Sequence, residues 1–132
     1  MAHARARRRM AADRERYDTD DGTPRISFQI RRRYYDLVVA GVKRSEVRKA
    51  SPYWMKHVTR LVEGYGRELP VSFVRCPIAT FVCGRDVHRR HLVGIELRAS
   101  GAEALGRELS GQGRADLGDG PVVVFNLGGP VE

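Results

Sequence analysis

The sequence predicts a single α+β domain in which two short helices near the start are followed by a run of short strands. The chain has 132 residues, which fits one domain, and 42% of them are apolar, which is ample for one compact core. After residue 66 the chain consists mainly of β-branched and aromatic segments separated by turn residues. Elements in this order favour a small sheet that closes, or nearly closes, on itself.

The chain is expected to divide into a disordered arm, residues 1–22, and a folded domain, residues 23–132. The arm has almost no apolar periodicity and ends in an acidic, glycine-terminated cluster. Its arginine run, Arg7 to Arg9, could contact phosphate. Solvated tails of this composition are nevertheless more common than functional ones.

Ordered structure is predicted to begin with a strand and a short helix. Ile26, Phe28 and Ile30 alternate with polar residues, as in a half-buried strand. The spacing then becomes helical, and Gly41 stands where a left-handed residue would end the helix. The apolar stripe of this first helix consists of Tyr34, Leu37 and Val38.

The next two elements are a short strand and a better-defined helix. Ser45–Lys49 is too short and too polar for a helix, and as a strand it places Glu46 and Arg48 on one face. Ser51 is a typical N-cap and Pro52 a typical first helical residue. The apolar stripe of this helix consists of Trp54, Val58, Leu61 and Val62, and the expected stops are Gly64 or Gly66.

Four further strands and a third helix complete the predicted domain. The strands are Val71–Cys76, Ala79–Cys83, His91–Arg98 and Val122–Leu127. Ser100 and Glu103 form a capping-box pattern that predicts a short helix. Residues 110–121 are expected to form a flexible loop.

The excess of positive charge lies in the middle of the chain. The net charge is +8, and residues 25–98 have sixteen basic against six acidic residues, giving +10. Basic domains attract polyanions, and binding to phosphates releases counterions, so nucleic acid is the leading partner class. A GC-rich genome would explain why there are 21 Arg and only 3 Lys, but not why basic residues outnumber acidic residues.

Two simple features bear on the cellular compartment. No segment approaches the roughly 18 apolar residues of a membrane span, and the arginine-rich start lacks the apolar stretch of a secretory signal. We therefore expect a cytoplasmic protein with no membrane partner. Cys76 and Cys83 are too few for a disulfide framework and are expected to be reduced and buried.

The stretch GVKRSEVRKASPYW, residues 41–54, carries the strongest functional signal. Its first eight residues read G-x-K-x-x-E-x-R, which resembles the signature of ASCH domains, relatives of the PUA fold. In small bacterial and phage-like ASCH proteins a Tyr-Trp pair then opens a helix, as Tyr53 and Trp54 do here. Their last strand ends in Leu-Gly, as does VVVFNLGG. The resemblance covers about residues 25–131.

This resemblance implies a PUA-like β-barrel of about five or six strands with two or three short helices. It also implies a cleft in which the motif residues cluster, and binding of RNA, a nucleotide or a modified nucleobase. No cofactor and no obligate protein partner are expected.

The motif residues have the chemistry that such a ligand requires. Lys43 supplies a compact charge for phosphate, Arg48 a planar fork for bidentate acceptors, and Glu46 an acceptor for the amino edge of a base. Tyr53 is a better stacking candidate than Trp54, which begins an apolar stripe. The residues assigned to nucleic-acid binding are Lys43, Glu46, Arg48, Lys49, Tyr53, Lys56, Arg85, Arg89 and Arg90.

Structural roles for these residues remain open alternatives. Glu46 and Arg48 could form only an ion pair that fixes the barrel, and surface pairs contribute about 0–1 kcal/mol. Lys43 could be a solvated turn lysine. The arginines at positions 85, 89 and 90 are expected in a basic loop with His88 and His91, suited to phosphate contact or simply to keeping the protein in solution.

Whether the protein is an enzyme is left open by the sequence. ASCH-like proteins that deacetylate N4-acetylcytidine use the motif lysine, a threonine three residues later and a distant glutamate. Lys43 matches the lysine, but Glu46 stands in the threonine position and Ser45 would point to the other face of the strand. This weakens the amidohydrolase hypothesis.

Ribonuclease activity, reported for other ASCH proteins, is the leading enzymatic alternative. The catalytic candidates would be Lys43, Glu46, Arg48 and His57. His57 follows Tyr53 by one helical turn and titrates near neutral pH. A lone helical histidine is, however, more often structural.

Other chemistries lack their usual patterns. The segment CPIATFVCGRDVHRRH contains two cysteines and two histidines, but the cysteines are seven residues apart, whereas paired zinc ligands are usually two to four apart. No metal site is therefore predicted. The chain has no Walker-type loop, no dinucleotide glycine fingerprint and no G-x-S-x-G elbow.

Overall fold

The computed structural model of the chain describes residues 22–66, 68–101 and 120–131. Six strands and two helices lie in these ranges. They are β1 (Arg25–Gln29), α1 (Arg32–Val39), β2 (Ser45–Lys49), α2 (Pro52–Val62), β3 (Val71–Ser72), β4 (Ile78–Cys83), β5 (Asp86–Arg98) and β6 (Val122–Pro130). The predicted N-terminal arm, and nearly all of the predicted third helix and of the loop at 110–121, lie outside the described residues.

The six strands form one curled, mixed sheet that amounts to half a barrel. The strand order is β1-β4-β5-β6-β2, and β3 also pairs with β5. The pairing of β1 with β4 is parallel and the others are antiparallel. This confirms the α+β class and the predicted number of strands. The sheet has β1 and β2 at its two ends.

The core is formed by one face of the sheet and by buried residues of both helices. Three fully buried phenylalanines are at its centre. The ring centroid of Phe28 in β1 lies 5.3 Å from that of Phe81 in β4 and 4.9 Å from that of Phe125 in β6. Trp54 of α2 stacks on Phe28 at 5.3 Å. This aromatic cluster holds α2 against β1 and β6.

The second helix, α2, begins and packs as predicted. Ser51 accepts a hydrogen bond from the backbone N–H of Trp54, and Pro52 is the first helical residue. Val58, Leu61 and Val62 are buried. Gly64 follows the helix with φ 95°, a value that favours glycine.

The first helix, α1, ends as predicted but buries a different face. Gly41 has φ 75° and ends the helix. Tyr35 and Val38 are buried, whereas Leu37 of the predicted stripe is exposed. Residues three apart share a face of a helix, so burying Tyr35 with Val38 turns Leu37 outwards. Because the helix has only eight residues, its sequence hardly distinguishes which of two adjacent apolar faces is buried.

Two predicted strands have different bounds in the structure. Instead of continuing to Cys76, β3 ends at Ser72, and Val74 beyond it is exposed. Gly94 lets β3 approach β5 closely, because a Cβ there would lie 2.8 Å from the Val71 carbonyl oxygen. The second of these strands, β5, begins at Asp86 rather than at the predicted His91, because a tight turn at Gly84 and Arg85 joins it directly to β4.

The expectation of a basic loop between β4 and β5 is therefore wrong. Only Arg85 lies in the turn, while Arg89 and Arg90 lie on β5. Successive strand residues point to opposite faces, so these two arginines project in different directions. Separately, no helix in the described ranges has the length and apolar character needed to cross a membrane.

Candidate functional site

The motif residues Lys43, Glu46 and Arg48 form one ion cluster. The Lys43 ammonium donates to Glu46 Oε2, and Arg48 Nε donates to Glu46 Oε1 at 3.2 Å. The Glu46 side chain is only 8% exposed, against 21% for Lys43 and 24% for Arg48. The carboxylate is thus buried between two partly exposed cations, which orient it on both sides.

The turn between α1 and β2 places this cluster. After Gly41 reverses the chain direction, the N–H groups of Val42 and Lys43 both donate to the Leu37 carbonyl. The Arg44 carbonyl then accepts from the N–H of Leu127, which ties the turn to β6. The ladder with β6 continues through β2. Lys43 and Glu46 therefore have backbones that are fixed by local hydrogen bonds.

Arg48 links the two ends of the sheet order. Its Nη2 donates to the backbone carbonyl of Gln29 in β1 at 3.1 Å, while Arg48 itself belongs to β2. The guanidinium also lies over two rings, 5.5 Å from the Phe28 centroid and 5.0 Å from that of Trp54. Such cation–π contacts stabilise an arginine that is partly removed from water. Arg48 therefore spans the opening of the half-barrel.

The start of α2 contributes an aromatic layer above Arg48. Trp54 is half-buried and packs on the core, as the apolar stripe predicted, whereas Tyr53 is 56% exposed. The Tyr53 ring lies 5.1 Å from that of Trp54 and 4.8 Å from that of His57. His57 is buried and also contacts Trp54 at 5.8 Å. Tyr53 is the ring in this group that is available for stacking on a ligand.

A cleft of about 350 Å³ opens beside the ion cluster. This volume is at the small end of the range for ligand sites. Lys43 belongs to both the cleft and the ion cluster. The lining residues are Gly41, Lys43, Arg44, Arg90, Leu127, Gly128 and Gly129. Three of the seven are cationic and none is acidic, so the cleft favours an anion.

Arg90 forms one wall of this cleft and is held by backbone groups. Its Nη2 donates to the Val38 carbonyl at 2.7 Å and its Nη1 to the Gly128 carbonyl at 3.2 Å. It therefore joins the end of α1 to β6. Its Nε is buried without a hydrogen-bond partner in the described ranges. The positive charge of Arg90 therefore contributes to the cleft, although its guanidinium donates hydrogen bonds to two backbone carbonyls of the protein.

The opposite wall is a bulge in β6. Arg90 faces Pro130 and Leu92 faces Leu127, so β6 has one more residue than β5 in this interval. The extra length falls at Gly128 and Gly129. A Cβ on Gly128 would lie 2.7 Å from Val93 Cγ1, which explains why the strand has glycine there. Bulges disrupt the ladder locally and leave backbone groups unpaired.

The other predicted binding residues lie elsewhere on the surface. Lys49 is exposed at the end of β2, Lys56 is exposed on α2, and Arg85 and Arg89 are exposed on the β4–β5 hairpin. These four do not line the cleft. Sequence reasoning overlooked Arg44, although it follows Lys43 directly in the glycine-led turn. It also overlooked Gln29, whose role is that of a backbone carbonyl and has no sequence signal.

The cysteines and the described histidines, His57, His88 and His91, show no arrangement suited to a metal. Cys76 and Cys83 are free and only half-buried, rather than buried as expected. Across residues 22–66, 68–101 and 120–131, no three His, Cys, Asp or Glu side chains are close enough to hold a metal ion together.

His88 gives the protein a predicted pH dependence of stability. Burial, and secondarily the charge of Arg90, lower the pKa of His88 from its usual value of 6.5. The unfolded chain then binds a proton at higher pH than the folded one, so the free energy of unfolding should fall as the pH drops below about 6.5. It should level off below the folded-state pKa.

Urea unfolding at pH 7.5 and at pH 5.5 checks this expectation. The loss of stability between these two conditions should be smaller in His88→Gln, which has no charge to gain, than in wild type. Equal losses in the two proteins, measured at the same ionic strength, would contradict it.

Comparisons with known proteins give no match: no family model, no curated protein and no solved structure matches this chain.

Proposed function

We propose that this chain is an ASCH-type, PUA-like domain that binds RNA or a nucleotide-sized ligand in the cleft beside Lys43. The observation that carries the proposal is the convergence of three cations, Lys43, Arg44 and Arg90, on one small cleft without an acidic lining residue. Phosphate is the anion that nucleic acids and nucleotides offer to such a site.

The ion cluster supports the same function by orienting the site. Glu46 holds Lys43 at the cleft, and each carboxylate oxygen can accept more than the one hydrogen bond it receives. Because the Glu46 side chain is buried, its contribution is to orient the two cations. A series of contacts leads from Glu46 through Arg48 and Trp54 to the exposed ring of Tyr53. The ion cluster therefore links a cation of the cleft to the ring that is available for stacking.

The fold assignment has its own support. The motif occupies the turn after α1 and continues into β2 of the six-stranded curled sheet, and the last strand contributes Leu127 and Gly128 to the cleft. These are segments in which the sequence resembles ASCH proteins. Part of the motif and the end of the last strand thus line one cleft, which supports a PUA-like domain.

Binding of labelled oligonucleotides tests the proposal. Wild-type protein should bind fluorescent RNA with an affinity that falls steeply as salt increases. Arg44→Ala should weaken binding several-fold at low salt and reduce the slope of log affinity against log salt by about 1. Fluorescence anisotropy at several salt concentrations measures both quantities for RNA and for DNA of the same sequence.

A matched control is available in Arg75→Ala. Arg75 is exposed and does not line the cleft, and its replacement changes the net charge equally. Arg75→Ala should have the smaller effect on affinity. If wild-type protein does not bind at low salt, polynucleotide binding is wrong, and equal effects of the two variants would move the site away from the cleft.

A hydrolase that uses the same residues is the second candidate. The contact between Lys43 and Glu46 favours it, because a lysine held by a buried carboxylate can orient and polarise a reacting group. Glu46 argues against deacetylation of acetylcytidine, because it stands in the position of the expected threonine. The hydroxyl of Ser45 cannot simply replace that threonine, since Ser45 is the neighbouring and less buried residue of β2. His57, the other catalytic candidate, packs in the aromatic layer.

Mass spectrometry separates the binding and hydrolase functions. Wild type and Lys43→Ala are incubated with total RNA and with N4-acetylcytidine. A product formed by wild type alone would establish catalysis. The absence of product from both proteins, together with salt-dependent RNA binding, would support a binding domain.

A further inference from the structure

We infer that the cleft holds a phosphomonoester, the terminal phosphate of an RNA or a nucleotide, in preference to the phosphodiester inside a chain. This inference rests on the proposed function, because it names the part of the ligand that enters the cleft. It is argued from the charge, the backbone and the volume of the cleft.

The charge around the cleft favours a dianion. Lys43, Arg44 and Arg90 contribute three positive charges, and the charges of Glu46 and Arg48 in the ion cluster cancel, which leaves about +3. A phosphomonoester carries about −1.5 to −2 near pH 7, whereas a phosphodiester in a nucleic acid carries about −1. A terminal phosphate therefore compensates more of this charge than one phosphodiester does.

The backbone around the cleft permits a compact anion to approach closely. Gly41, Gly128 and Gly129 make up three of the seven lining residues, so much of the wall has no side chain. The last two form the bulge, where the ladder between β5 and β6 is interrupted. A glycine in a strand often marks a place where a ligand approaches the backbone. Backbone N–H groups at an irregular point of a strand can donate to phosphate oxygens.

Among the three cations that line the cleft in the described part of the chain, Arg44 is the one available to bind the phosphate. Lys43 is engaged with Glu46, and Arg90 donates to two carbonyl oxygens. Arg44 is exposed and contributes its backbone carbonyl, not its guanidinium, to the fold. A planar fork on an exposed side chain can make bidentate hydrogen bonds to two oxygens of one phosphate. We therefore assign discrimination between the two phosphate types to Arg44.

The volume limits what can accompany the phosphate. About 350 Å³ accommodates a phosphate with an attached sugar, but not several consecutive nucleotides. The remaining nucleotides of an RNA would lie outside the cleft.

Competition binding with matched oligonucleotides tests the inference. One short RNA sequence is prepared with a 5′-phosphate, a 3′-phosphate or hydroxyl groups at both ends, and a nucleoside 5′-monophosphate and inorganic phosphate are added as further competitors. One of the phosphorylated forms should bind about tenfold more tightly than the hydroxyl form, as expected for charged hydrogen bonds. The nucleoside monophosphate should compete better than inorganic phosphate.

Three variants locate the effect. Arg44→Ala should abolish the advantage of the phosphorylated RNA, Arg44→Lys should retain part of it, and Arg75→Ala should retain all of it. Thermal unfolding of each variant confirms that the fold is intact. An undiminished advantage in Arg44→Ala would overturn the assignment to this residue.

The outcomes separate this inference from the proposed function. Equal affinities for phosphorylated and hydroxyl-ended RNA would overturn the terminal-phosphate inference and leave RNA binding standing. Failure of every RNA and nucleotide to bind would overturn both. Inorganic phosphate that competes as well as the nucleoside monophosphate would overturn the assignment to an RNA or nucleotide end.

Discussion

Replacing Glu46 by glutamine is expected to lower the free energy of unfolding by about 3 kcal/mol, because removing one partner of a buried ion cluster leaves the other charges uncompensated. Among the described residues, Glu46 is the single carboxylate that contacts both Lys43 and Arg48. Without it, two cations would repel each other in a partly dehydrated setting. Urea unfolding, followed by the fluorescence of the single tryptophan, Trp54, measures the loss.

An exposed ion pair with the same spacing serves as the control. Arg60 and Glu63 are three residues apart, as are Lys43 and Glu46, but both side chains are about half exposed. Glu63→Gln should therefore change stability by less than about 1 kcal/mol. Adding Lys43→Met to Glu46→Gln should recover part of the loss, since it removes one unpaired charge. A loss in Glu46→Gln no larger than that in Glu63→Gln would show that the cluster contributes little to stability.

Replacing Phe28 by alanine is expected to lower the free energy of unfolding by about 4 kcal/mol. Phe28 is completely buried and contacts the rings of Trp54, Phe81 and Phe125. A cavity at this point would remove the support of three neighbouring side chains at once. It would also remove one of the two rings beneath the Arg48 guanidinium.

Phe28→Leu is the matched variant, because it keeps most of the buried volume. Its loss of stability should be less than half that of Phe28→Ala. Trp54 emission of the folded protein should shift to longer wavelength in Phe28→Ala, since the indole loses its stacking partner and gains access to water. Equal losses in the two variants would contradict the cavity argument.

Local patterns predicted the part of the site that depends on local geometry. Lys43, Glu46 and Arg48 meet because a glycine-led turn precedes a strand of period two, and both features are visible in the sequence. The start of α2 is likewise readable, since Ser51 and Pro52 are strong signals for an N-terminus. Whether these residues bind nucleic acid stays a prediction.

The cleft could not be predicted in the same way. Its two walls meet where the pairing of β5 with β6 shifts locally on both sides of Leu92, and nothing in either segment alone specifies these shifts. Arg90 was expected in a basic loop, but it lies on β5 and its guanidinium reaches carbonyls at residues 38 and 128. The extent of β5 was hidden because Asp86, Arg89 and Arg90 are charged residues in a strand whose first half is largely exposed.

The sheet order also determines when the site can form during synthesis. β4 and β5 are joined by a tight turn and can pair as soon as both have left the ribosome. In contrast, β2 lies at the end of the strand order and pairs with β6. Glu46 is therefore paired with Phe125, and more than half of the sequence separates the two residues. Pairings between such distant segments form slowly, because a long loop must close first. The ribosome therefore exposes the G-x-K-x-x-E-x-R segment long before the strand that gives it its shape.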